Sequence, residues 1–106
     1  MAWTALIFAG ILEIVWAFSM KQSDGFTKLM PSVITIVMMI ASFALLAYSM
    51  RTLPLGTAYT IWTGIGAVGA FLVGIAILGE HASFTRVLAA VLIICGLVLM
   101  KLSTPD

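Results

Sequence analysis

The chain has 106 residues, 63% hydrophobic and only 8% charged, with a formal net charge of +1. A water-soluble domain cannot hide that much apolar surface, because roughly half of a soluble protein's residues face water. The near-neutral charge gives no basis for a nucleic-acid partner, and the length fits one domain, 1–106.

Four apolar stretches are long enough to cross a bilayer core of roughly 30 Å at 1.5 Å per helical residue. They run at about 3–20, 31–50, 57–78 and 84–102. The expected fold is therefore an all-α integral membrane protein whose short connections make neighbouring helices antiparallel. The N-terminal stretch is not expected to be a cleaved signal, since no basic residue precedes it and no small-residue cleavage site follows.

In the first helix Gly10, Glu13 and Trp16 are three residues apart and share a face, flanked by Ala9, Ala17 and Met20. Asp24-Gly25 supplies the turn of the polar loop that follows. Pro31 is expected to open the second helix, where no amide donor is needed. That helix carries Thr35 and the more central Ser42, with Met38 and Met39 as adaptable lining. Pro54 and Gly56 punctuate the second loop. Small residues crowd the third helix at Gly64, Gly66, Ala67, Gly69, Ala70 and Gly74, which lets helices approach closely or lets one bend. Thr57, Tyr59, Thr60, Trp62 and Thr63 occupy its first turns. The fourth helix is almost wholly aliphatic, with Gly96 as a small position and Lys101 at its end.

The loop charges do not fix an orientation. Lys21, Lys28 and Arg86 fall on one side and Arg51 and Lys101 on the other, too small a bias for the rule that cytoplasmic loops are positive. Copies inserted both ways and paired antiparallel would account for the balance. A lone set of four helices would also leave Glu13 facing lipid, whereas two copies would bury it in a shared interior.

Glu13 carries the strongest chemical signal. An ionised carboxylate at membrane depth costs a few kcal/mol on insertion scales, which marks it as a functional group. It can hold a proton or a cation but not both, and a proton-coupled antiporter needs only that exclusivity together with alternating access. Trp16, Tyr59 and Trp62 fit either a belt at headgroup depth or a cation site of π-faces and a phenol beside the acid; Trp3 and Tyr48 fit the belt better. Ser42 could bond its own helix backbone or a neighbour. Gly64, Gly66 and Gly69 spell G-x-G-x-x-G, but no strand precedes them, so they are expected to pack helices rather than bind a nucleotide. Glu80 and Arg86 look like ordinary loop charges, His81 like a solvated loop residue, and the lone Cys95 like a small hydrophobe. With no nucleophile–base pair and no metal-ligand cluster in the pattern, neither an enzyme, a metal nor a cofactor is expected.

Three segments together carry a family resemblance: A-G-I-L-E-I-V-W-A followed by Lys21, then D-G-F-T-K-L-M-P-S-V-I-T, then L-P-L-G-T-A-Y-T-I-W-T-G-I-G-A-V-G. Over essentially its whole length the chain resembles the small multidrug resistance transporters. Trp16 and Met39 make it look like the guanidinium-exporter subtype rather than the broader exporters of quaternary ammonium and other hydrophobic cations, which carry a small residue and an aromatic there. The resemblance implies an antiparallel, dual-topology homodimer of eight helices in the bacterial inner membrane, exchanging guanidinium for protons at two facing Glu13 carboxylates. It carries binding roles onto Gly10, Glu13, Trp16, Ser42, Tyr59 and Trp62; in the mechanism expected from these residues, Ser42 and Tyr59 orient the carboxylates by hydrogen bonds. It implies that Gly64, Gly66 and Gly69 permit bending, and that Gly96 lies on the packing face of the main dimerisation helix. Thr60 departs from the alanine expected between Tyr59 and Ile61.

Overall fold

The computed structural model describes residues 1–103, which form helices α1 (Ala2–Gln22), α2 (Leu29–Ser49), α3 (Leu55–Ala76) and α4 (Phe84–Ser103). Each is apolar and long enough to cross a membrane. Hydropathy locates them because a backbone at membrane depth must satisfy its own polar groups, which a helix does within one segment.

α2 begins two residues before the expected proline, with Lys28 as its N-cap, so that Pro31 is the third helical residue. The first-turn amides have no partner within a helix, so a proline in that turn removes no hydrogen bond. The loop before it is organised by Ser23, which is fully buried. Its hydroxyl donates to the Met20 carbonyl at 2.6 Å and accepts from the Phe26 amide at 3.0 Å. Asp24, Gly25 and Phe26 all have positive φ, so the chain reverses there through three left-handed residues. On the other side Pro54 caps α3 in an extended conformation.

α1 packs most extensively on α2 and next on α3, α2 and α3 meet only slightly, and α4 packs on α3. The spatial order is therefore α2–α1–α3–α4, in a slab of 43 × 34 × 16 Å. The helices thus form a flattened arrangement in which the chain buries few large side chains. Its tightest packing lies towards the end that carries the α2–α3 turn, where Leu6, Ala9, Leu46, Leu53, Ala58, Ile61 and Trp62 form one buried cluster. On α2 the buried residues Thr35, Ser42 and Ser49 recur every seven positions and make a small polar stripe. Only Ala90 of α4 is buried. Its aliphatic faces point outward, as expected of a helix that meets lipid or another chain.

Candidate functional site

Glu13 lies midway along α1, the helix with neighbours on both sides. Its carboxylate rests against α3 at Gly66, where an added Cβ would overlap the carboxylate itself. Gly66 is thus the seat of the acid, a more specific role than general helix packing. The two flanking glycines take aliphatic side chains instead: Gly69 receives Ile14 of α1 and Gly64 receives Leu97 of α4. Gly10 works the other way round, since a Cβ there would come within 2.7 Å of the Ile65 side chain. The glycines therefore act as notches in this conformation, and α3 runs unbroken through them.

Among the described residues, two buried side-chain atoms have no hydrogen-bond partner, Glu13 Oε1 and Trp16 Nε1. One is an acceptor and the other a donor, and their residues stand one turn apart on the same face of α1. Buried polar atoms are nearly always satisfied, so two orphans one turn apart on one helix make this a candidate binding place.

Ser42 bonds two neighbouring helices. Its hydroxyl donates to the Ala9 carbonyl of α1 at 2.7 Å, and its oxygen accepts from Trp62 Nε1 at 3.0 Å. Neither bond goes to its own helix, and the hydroxyl proton is committed to Ala9 rather than to Glu13. The Ala9 carbonyl belongs to the helical turn that also receives the Glu13 amide, four residues on. The relay Trp62–Ser42–Ala9 thus ties α3 and α2 to the turn that carries the acid.

Trp62 is only 6% exposed, which excludes it from an interfacial belt. It lies 5.6 Å from the Tyr59 ring and 5.5 Å from Phe43 of α2, and Phe43 lies 6.3 Å from Trp16. The four rings form a continuous aromatic path over three helices, at separations where tilted and edge-on ring pairs attract. Phe43 had no polar or motif signal, and only its position beside Ser42 in a helix facing α1 could have suggested it. Trp3 and Tyr48 sit towards the helix ends, with Lys101 Nζ 4.5 Å from one ring and the Arg51 guanidinium 5.8 Å from the other.

Gly96 packs against nothing within its own chain, because a Cβ there would meet open space. It lines a 510 Å³ groove between α3 and α4 together with Tyr59, Thr60, Thr63, Gly64 and Leu97. Thr60 and the half-exposed Tyr59 face that groove, on a surface that the chain alone leaves uncovered.

The family model for Small Multidrug Resistance protein matches residues 1–104. The chain is 57% identical over 104 residues to a guanidinium exporter of Citrobacter freundii, covering 98% of this chain and 99% of that one. It is 54% identical over 104 residues to the guanidinium exporters of Yersinia pseudotuberculosis and Escherichia coli (strain K12), covering 98% of this chain and 100% and 99% of theirs. With four helices of membrane-spanning length, an acid seated between two of them and a match along nearly its entire length, this multi-pass membrane protein belongs to the small multidrug resistance family.

Proposed function

We propose that the protein exports guanidinium across the bacterial inner membrane in exchange for protons, through alternating access to Glu13. The observation that carries this is the unpartnered Glu13 oxygen, seated on Gly66 one helical turn from the unpartnered Trp16 indole. Guanidinium is planar and presents paired N–H donors that match a carboxylate two-pronged, while its flat faces suit indole rings. Relatives of closely similar length that bear the name guanidinium exporter support the choice of ion.

The working unit is an antiparallel dual-topology homodimer. One copy is flattened and leaves Glu13 only partly covered, and an acid within the bilayer belongs in a protein interior. A second copy supplies that interior and a second Glu13. It also offers a carboxylate to the orphaned Trp16 N–H, which a donor-only cation leaves unsatisfied. The nearly unburied α4, with Gly96 in its open groove, is the surface on which the copies join.

In the cycle, Glu13 releases its proton as it accepts the guanidinium donors. Trp16 and Trp62 confine the ion between rings, and Tyr59 completes the wall. Protons arriving from the other side displace the cation, and the protonated carrier returns. Only the two loaded forms cross, because an empty ionised carboxylate is the costly state. The notched segment Gly64–Gly69 lets α3 move relative to Glu13, Ile14 and Leu97 as access switches.

Purified protein in liposomes on a solid-supported membrane tests this. Guanidinium is expected to evoke a transport current that a proton gradient modulates, and tetraalkylammonium ions much less. A tetraalkylammonium current without a guanidinium response would make the protein a broad exporter of hydrophobic cations. Absence of any substrate-dependent proton flux would leave it a non-transporting subunit.

A further inference from the structure

At the end of the slab that carries the α1–α2 and α3–α4 loops, a 360 Å³ cavity separates α1 from α3. Its deep end is lined by Ala17, one turn beyond Glu13, and by Ala67, the neighbour of the Gly66 seat. Its mouth is lined by Lys21, Glu80 and Arg86. One water occupies about 30 Å³ of liquid, so a small planar cation fits with several waters around it. The cavity thus reaches to within a helical turn of the central acid's position on α1 and opens at the helix ends.

Two features give its mouth a particular chemistry. Gly79, at φ +70°, turns the chain after α3, so the Glu80 amide donates back to the Gly74 carbonyl at 2.9 Å. The Glu80 carboxylate then rests on Gly74, where an added Cβ would overlap it. This repeats the relation of Glu13 to Gly66, eight residues earlier on the same helix. Opposite, the Arg86 guanidinium carbon lies 5.4 Å from the centre of the Phe71 ring, and its Nη1 donates to the His81 carbonyl at 2.9 Å. Arginine's head group is a substituted guanidinium. The cavity wall therefore already holds, on an aromatic face, the chemical group of the ion assigned to Glu13, and the Glu80 carboxylate lines the same cavity.

We propose that this cavity is a second guanidinium site, a vestibule formed by Phe71 and Glu80 in which Arg86 holds the ligand's place with its own guanidinium group. The proposal rests on guanidinium being the transported ion. An incoming guanidinium stacks on Phe71 and bonds Glu80 as Arg86 swings aside, then continues along the Ala17–Ala67 lining to Glu13. Lys21, at the same mouth, repels cations and keeps the site weak, as a transit position between water and the central acid has to be. The tethered head group also favours ions that can replace its stacking and hydrogen bonding, which sodium cannot.

The vestibule is tested apart from the central site in protein carrying Glu13→Gln. Amide resonances of Phe71, Gly74 and Glu80 are followed in bicelles during titration with guanidinium chloride, and with sodium chloride at equal ionic strength. Guanidinium-specific shifts are expected, with affinity rising about three- to tenfold in Arg86→Ala and in Arg86→Gln as the internal competitor is removed. Glu80→Gln should reduce the shifts to those of sodium. Shifts that follow ionic strength alone, or an affinity unchanged or lowered in both Arg86 variants, would overturn the vestibule. If the unsubstituted protein still exchanges guanidinium in that event, only the vestibule fails; if it exchanges none, the transport assignment fails whatever the cavity binds.

Discussion

Substituting Glu13→Gln is expected to lower guanidinium exchange by at least about a hundredfold and to abolish its coupling to protons. Glutamine keeps the shape and one acceptor oxygen, but it has no charge and no proton to exchange. The lost interactions are charge-assisted hydrogen bonds, worth about 1.5–3 kcal/mol each. Two of them at the low end already amount to a hundredfold, at about 1.4 kcal/mol per factor of ten. The fold should persist, because the unpartnered Oε1 contributes no hydrogen bond to the helix packing and removing a charge from membrane depth relieves a cost. The variant should therefore elute as the unsubstituted protein does and melt no lower. Proton-coupled exchange at close to the original rate in liposomes would show that the carboxylate is not the coupling group.

Gly66→Ala is the second large effect, and it separates placing the acid from possessing it. A methyl group at this position overlaps the Glu13 carboxylate, the mobile end of a long side chain, which can swing away without disturbing the backbone. Thermal stability should change little while transport falls about ten- to hundredfold, since a displacement near 1 Å at a reacting group can cost that much. Gly56→Ala is the matched control in the same helix, because a Cβ there meets nothing within 4 Å. It should transport normally. Equal losses in the two variants, or unchanged transport in Gly66→Ala, would remove Gly66 from the site.

How far the sequence reveals this arrangement depends on the length scale of each feature. The four helices are legible because hydropathy is a property of each segment alone, and the bilayer imposes one length on all of them. Their ends are less so. Pro31 marks a first turn without saying which residue of that turn it occupies, and α2 starts at Leu29. Glu13 stands out as a charge in the wrong solvent, and Trp16 follows from helical spacing.

Features that depend on which helices touch are not written in any one segment. Ser42 could have turned to its own backbone, and only the close approach of α1 and α3 commits it to Ala9 and Trp62. Phe43 looks like one more apolar residue of α2 until Trp16 and Trp62 approach it from two other helices. Gly66 and Gly74 are equivalent to the other small residues of α3 until a carboxylate rests on each. For the same reason Glu80 and Arg86 read as solvated loop charges, although they line one cavity with Phe71.

The central claim is that Glu13 holds either a proton or a guanidinium, never both. Proton release on binding tests it most directly: guanidinium is added to weakly buffered, purified protein while a pH indicator is read. Acidification that saturates with guanidinium is expected, with weaker guanidinium binding as pH falls and no release from Glu13→Gln. Saturable guanidinium binding with no proton release across the pH range in which the unsubstituted protein transports would contradict it.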